Sequence, residues 1–61
     1  MKVSELKRLI KKRGCKFAEH GTEHDVWVNI KTGQKTRIPR HDAKEIGTGL
    51  AQQIQKDLGL K

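Results

Sequence analysis

The segment HDVWVNIKTGQKTRIP, residues 24–39, contains two stretches of alternating side chains separated by a turn. Residues 24–30 place His, Val, Val and Ile on one side and Asp, Trp and Asn on the other, and most of these types favour strands. Residues 31–34, KTGQ, predict the turn. Residues 35–38 alternate again, and Pro39 ends the second strand because it has no N–H to donate to the ladder. The segment therefore predicts two antiparallel strands.

A further strand is predicted upstream, where Cys15 and Phe17 alternate with Lys16 and Ala18 before the chain turns near Gly21. Short turns connect all three strands, so an antiparallel meander is the simplest topology.

Two helices flank the strands. Ser4 is a candidate N-cap for a first helix over about residues 4–13, and Gly14 is a typical C-terminal stop. Thr48 is a candidate N-cap for a second helix of about ten residues. The apolar side chains of this second helix recur at i, i+4 and i+8: Leu50, Ile54 and Leu58.

The order of elements is α-β-β-β-α, and both helices need one face of the sheet to cover their apolar stripes. We therefore predict an α+β fold, a two-layer sandwich with a three-stranded antiparallel sheet, formed by residues 1–61 as one domain. A chain this short buries only about 60% of the surface that its unfolded form exposes. It has no room for a deep cofactor cleft, and we expect no cofactor.

Cys15 is alone in the sequence, so an intramolecular disulfide is excluded and a small core residue is expected. There is no apolar run of membrane-spanning length and no signal-peptide pattern at the N-terminus. We expect a soluble, cytoplasmic protein.

Positive charge is the strongest compositional signal. Fourteen Lys and Arg residues stand against seven Asp and Glu, a net charge of +7. Residues 1–17 and 31–41 hold most of the excess, whereas residues 18–30 contain only acidic charges. Such an excess is typical of a protein that binds a polyanion. One alternative is that the positive charge only keeps the protein soluble. Binding to a membrane surface is less favoured, because the apolar side of the basic helix is needed for the core.

Histidines are the remaining candidates for chemistry. No nucleophile is shielded beside a base as in a hydrolase triad. His20 and His24 are four residues apart, but Gly21 and the strand-like flanks deny them the helical face that a metal pair at this spacing requires. A histidine on a basic surface is enough to cleave RNA, because RNA carries its own nucleophile, the 2′-hydroxyl. His24 is favoured over His41 and His20 because it opens a strand just after a turn. Each could equally be an ordinary turn histidine.

Several short motifs occur in a specific order. They are GTEHDVW at residues 21–27, TGQK at 32–35, IPRH at 38–41, EIGT at 45–48 and LGL at 58–60. Together they resemble the HicA toxin family across essentially the whole chain. The resemblance implies a double-stranded-RNA-binding-domain-like fold and a ribosome-independent mRNA interferase of a type II toxin–antitoxin system. It also implies a HicB antitoxin as partner and a free toxin that is monomeric.

The family's catalytic histidine follows a glycine by three positions, which is His24 here, with Thr22 in place of the common Ser. The resemblance thus implies metal-independent endoribonuclease activity with His24 as general base. Trp27 is expected in the core or in contact with the antitoxin, with stacking on an RNA base as the alternative. The competing function is a non-catalytic RNA-binding module, and DNA binding ranks third because neither helix carries base-reading side chains. The expected RNA-binding cations lie on the first helix and the third strand: Lys7, Arg8, Lys11, Lys12, Lys35, Arg37 and Arg40.

Overall fold

The computed structural model describes residues 1–61 and confirms the predicted α-β-β-β-α order. Its elements are α1 Val3–Lys12, β1 Cys15–His20, β2 His24–Asn29, β3 Lys35–Pro39 and α2 Thr48–Asp57. The fold is α+β. Neither ten-residue helix is long and apolar enough to span a membrane.

The three strands form one antiparallel sheet in the order β1-β2-β3. Phe17 lies opposite Trp27, and His24 lies opposite Pro39. The register of β1 shifts between Phe17 and Glu19, which is a β-bulge. The bulge keeps Phe17 and His20 on the same face of β1, because it adds one residue to the alternation.

Both helices cover the same face of the sheet and enclose the core. Trp27 belongs to this core with 3% of its surface exposed, which is one of its two expected positions, and its indole ring meets the Phe17 ring edge-on at 6.3 Å. Cys15 is also buried, as predicted. The buried apolar residues are Val3, Leu6, Ile10, Cys15, Trp27, Ile38, Ile46, Ala51, Ile54 and Leu58.

The face of β2 that meets the helices carries two polar side chains beside an aromatic one. Asp25, Trp27 and Asn29 are buried, while Val26 and Val28 are half-buried on the other face. Asn29 is satisfied in the core, because its Nδ2 donates to the carbonyl of Leu58 at 2.6 Å and its Oδ1 accepts from the N–H of Lys31 at 2.9 Å.

The predicted helix caps are wrong, although Gly14 does end α1 with a φ of +96°. α1 begins at Val3 with Lys2 as N-cap, so Ser4 lies inside the helix. The loop of residues 41–45 satisfies the first helical N–H groups: Val3 N donates to Lys44 O at 2.9 Å and Ser4 N to Asp42 O at 3.1 Å. A side-chain cap is not needed where backbone carbonyls take its place.

The start of α2 also differs from the prediction. Its N-cap is Gly47, and no side chain caps the helix, so Thr48 is the first helical residue. Leu50 is 48% exposed and does not belong to the buried stripe, whose N-terminal position is taken by Ala51 at 5% exposure. Ile54 and Leu58 are buried as predicted, so only the first residue of the stripe differs from the prediction.

Candidate functional site

His24 is the first residue of β2 and lies at the end of the sheet. The Gly21–Glu23 turn leads into it, and the Gly21 N–H donates to the His24 carbonyl oxygen at 2.8 Å. A Cβ at Gly21 would overlap that same oxygen, so the turn closes tightly only with glycine at this position. The His24 side chain itself is exposed to solvent.

The sheet face that carries His24 is the one that the helices leave uncovered, and we call it the open face. Side chains directly opposite each other in a ladder share a face. Arg37 lies opposite Val26, and Lys35 lies opposite Val28, so both cations share the open face with His24. Lys16 of β1 also lies opposite Val28 and joins them. Lys16 was not among the predicted binding residues, since only the strand register places it there.

Two shallow depressions meet at His24. The first, the turn depression, is lined by Glu19, His20, Gly21, Thr22, Glu23, His24, Val26 and Arg37. The second, the loop depression, is lined by Thr22, Glu23, His24, Pro39, Arg40, His41 and Lys44. His24 is therefore accessible from both sides. Cations border each depression, together with the carboxylates of Glu19 in the first and Glu23 in both.

Asp25 is the buried charged residue next to His24 in sequence, but it points to the opposite face, as the strand alternation predicts. Its side chain is 8% exposed, and its Oδ1 lies 2.9 Å from His20 Nδ1 and accepts from Arg40 Nε at 3.2 Å. The His20 hydrogen bond, and after it the hydrogen bond and charge of Arg40, hold the pKa of Asp25 below its usual value, against the opposing effect of burial. Asp25 therefore stays ionised and ties three segments of the chain together.

Arg40 completes this connection by donating from its guanidinium to the carbonyl oxygen of Gly21. His20 also packs against Phe17, with ring centroids 4.8 Å apart. Of the three histidines, His20 is thus bonded to Asp25 on the side of the helices, whereas His24 lies on the open face and His41 lies in the loop after β3.

The seven predicted RNA-binding cations fall into two groups. Lys7 Nζ lies 2.7 Å from Asp42 Oδ1, Arg40 pairs with Asp25, and Lys11 Nζ lies 5.6 Å from the centroid of the Trp27 ring. The other four are exposed and form no ion pair: Arg8, Lys12, Lys35 and Arg37.

Lys44 borders His24 and was not predicted from the sequence. It follows β3 by five residues, in a loop where no local pattern fixes side-chain direction. Only the pairing of His24 with Pro39 indicates that the residues after Pro39 come close to His24. His41, weighed as an alternative catalytic histidine, lies in the loop depression with it.

Two further candidates from the sequence are a metal site and the Cys15 thiol. No group of three or more His, Cys, Asp and Glu side chains is placed to hold a metal ion. Burial raises the pKa of the Cys15 thiol, so this side chain is neutral at pH 7 and behaves as a core residue.

The chain is similar to known proteins over nearly its full length. A family model described as "HicA toxin of bacterial toxin-antitoxin" matches residues 3–60. A protein of Pseudomonas fluorescens (strain Pf0-1), described as "Probable mRNA interferase HicA", is 44% identical over 62 residues, which cover 100% of this chain and 98% of the relative. No solved structure matches the chain significantly.

Proposed function

The chain belongs to the HicA toxin family, and from this membership we propose that it is the toxin of a type II toxin–antitoxin system. In this proposal it is an endoribonuclease that cleaves mRNA in the cytoplasm, independently of ribosomes and metal ions, with His24 as general base. A HicB-type antitoxin neutralises it, and the free toxin is a monomer. The observation that carries the proposal is the exposed imidazole of His24 on a sheet face lined by cations.

The chemistry needs few groups because the substrate contributes the nucleophile. His24 takes the proton of a ribose 2′-hydroxyl, whose oxygen then attacks the neighbouring phosphorus. Imidazole suits this task near neutral pH better than any other side chain. His24 is favoured over His20 because His24 shares the open face with Arg37 and Lys35, whereas His20 lies on the side of the helices, where its Nδ1 is bonded to Asp25.

The negative charge that develops on the phosphate needs nearby cations. Arg37 borders the same depression as His24 and has no carboxylate partner, so its guanidinium is available to a phosphate oxygen. Lys35 continues the cationic row along β3 and can hold the neighbouring backbone. Because these contacts go to phosphates, we expect little base specificity.

The same arrangement suggests how a partner protein inhibits the toxin. His24, Arg37 and Lys35 share one open face, so an antitoxin that covers this face would block the general base and the phosphate-binding cations together. The half-buried Val26 and Val28 lie between them and would give such a partner apolar contacts.

The test compares the purified chain with His24→Ala on a short single-stranded RNA, in buffer with EDTA. We expect the wild-type chain to leave 2′,3′-cyclic phosphate and 5′-hydroxyl ends, and His24→Ala to be slower by about 10²- to 10⁴-fold. His20→Ala tests the competing base, because the His20 imidazole also borders the turn depression, and it should retain most of the activity. Gln52→Ala, exposed on α2, is the matched control and should cleave as fast as the wild-type chain.

Each alternative has its own outcome. If the wild-type chain binds RNA without cleaving it, the protein is a passive RNA-binding module. If His24→Ala cleaves as fast as wild type, the chain is a nuclease but its base lies elsewhere. Cleavage that EDTA abolishes would rule out the metal-independent mechanism.

A further inference from the structure

The cleavage proposed above leaves one proton unassigned. When the 2′-oxygen bonds to phosphorus, the bond from phosphorus to the 5′-oxygen breaks, and the departing alkoxide is a strong base that needs a proton. His24 holds the proton taken from the 2′-hydroxyl and lies on the attacking side. A general acid beside the departing 5′-oxygen would lower the barrier to cleavage.

The loop depression holds a second imidazole beside His24. Pro39 is paired with His24 in the ladder, and His41 follows Pro39 by two residues, so both histidines border this depression. The side chain of His41 is exposed and has no protein hydrogen-bond partner. Its imidazole is therefore free to meet a substrate bound at His24.

The backbone around His41 is fixed by several contacts. The His41 carbonyl oxygen accepts from Lys44 N at 3.1 Å, and the adjoining carbonyls of Asp42 and Lys44 accept from the first N–H groups of α1. The Asp42 carboxylate also binds Lys7 of α1. A loop attached to a helix end in this way presents His41 at a constant position.

The charged groups that face His41 are two cations and one carboxylate. Arg40, Lys44, Glu23 and His24 line the depression with it. The guanidinium of Arg40 is bonded to Asp25 and to the Gly21 carbonyl oxygen, but the ammonium group of Lys44 forms no ion pair. Lys44 is thus the cation available to a phosphate oxygen in this depression.

We propose that His41 is the general acid of the reaction, with Lys44 as a phosphate ligand, an inference that rests on the function proposed above. His24 takes the proton of the 2′-hydroxyl, the 2′-oxygen bonds to phosphorus, the bond to the 5′-oxygen breaks, and protonated His41 gives its proton to that oxygen. The products are a 2′,3′-cyclic phosphate and a 5′-hydroxyl. Exchange with water returns both imidazoles to their starting states.

A substrate whose leaving atom needs no proton tests this assignment directly. In an RNA with sulfur in place of the bridging 5′-oxygen, the leaving group departs as a thiolate. A thiol has an ordinary pKa of about 8.5, far below that of an alcohol, so a thiolate leaves without a general acid. We expect His41→Ala to slow cleavage of the normal linkage about 10²- to 10⁴-fold but to have almost no effect on the sulfur linkage.

The other variants separate the roles. His24→Ala should slow both linkages, because the 2′-hydroxyl must still lose its proton, and Lys44→Gln should slow both by a similar factor. Gln52→Ala, exposed on α2 away from both depressions, should change neither. Circular dichroism of each variant checks that it is folded.

The pH profile gives a second, independent readout. The wild-type rate should fall at high pH, because a general acid must be protonated, and His41→Ala should lose this fall while keeping the decline at low pH. Equal losses on both linkages, or an unchanged pH profile, would show that His41 only binds or positions RNA. If the wild-type chain cleaves neither linkage, the proposed function itself fails.

Discussion

At the scale of single residues, Gly21 is the position where a methyl group should matter most. Its Cβ would overlap the His24 carbonyl oxygen, which the Gly21 N–H now binds, so Gly21→Ala must open the turn and displace His24. A displacement of about 1 Å can cost on the order of 10²-fold in rate. We expect Gly21→Ala to remain folded by circular dichroism and to lose at least about tenfold in RNA cleavage on that scale.

Gly49 provides the matched control for Gly21. It lies inside α2 with open space around its Cβ position, so Gly49→Ala should raise the free energy of unfolding by about 0.5–1 kcal/mol and leave cleavage unchanged. Equal activity of the two alanine variants would contradict the proposed role of the Gly21 turn.

Asp25 should make the stability of the chain depend on pH in acid. The pKa of its carboxyl is lowered in the folded state by His20 and then Arg40, so it contributes stability above its unfolded pKa of about 3.9 and loses it as the pH falls below that value. Asp25→Asn should therefore be less stable than wild type at pH 6, and the difference should shrink as the pH approaches 3. Urea unfolding followed by circular dichroism measures both, and a difference that does not change with pH would contradict this role for the carboxylate.

At the scale of elements, the alternation of residues 24–30 and 35–38 was enough to predict two strands and their pairing, but not which face of β2 is buried. Asp25 and Asn29 are polar by type, and their burial depends in part on distant partners, Arg40 and the carbonyl of Leu58. The cap at Ser4 failed for the same reason, because carbonyls some forty residues away satisfy the first N–H groups of α1. Local patterns describe local structure, whereas these contacts depend on the finished fold.

The candidate site was likewise predictable only in part from the sequence. The position of His24 after a glycine turn was visible in the sequence, and the resemblance to the HicA family supported its role. The approach of Lys44 depends on the register of β2 with β3 and on the attachment of the loop to α1. Neither is encoded in any short motif.

Asn29 joins β2 to the end of α2, so its loss should weaken the contact between these two elements. Asn29→Ala leaves the buried carbonyl of Leu58 without its partner, and we expect a loss of about 1–3 kcal/mol in the free energy of unfolding. Gln53→Ala is the matched control, since it removes an exposed amide that binds Asp57 and should change stability by less than about 0.5 kcal/mol. Urea unfolding of both variants decides the question, and similar losses would contradict the buried role of Asn29.

At the scale of the whole molecule, the net charge of +7 is not one uniform surface. Ion pairs within the fold neutralise Lys7 and Arg40, so these two contribute to structure. Among the cations that form no ion pair, Lys16, Lys35 and Arg37 lie on the open face with His24, Lys44 borders the loop depression, and Arg8 and Lys12 are exposed on α1. RNA bound at His24 should therefore depend first on the open face.

The salt dependence of binding can distinguish paired from unpaired cations. Each phosphate contact to a single strand contributes about 0.7 to the slope of log affinity against log salt concentration, because a bound counterion is released. In a His24→Ala background, which prevents cleavage, Arg37→Gln should reduce this slope by about 0.7, as measured by fluorescence anisotropy with a labelled single-stranded RNA. Lys7→Gln should leave the slope unchanged, because Asp42 already neutralises that ammonium group, and should act on stability alone. If Lys7→Gln reduced the slope and Arg37→Gln did not, RNA would lie along α1, and the open face would not be its binding surface.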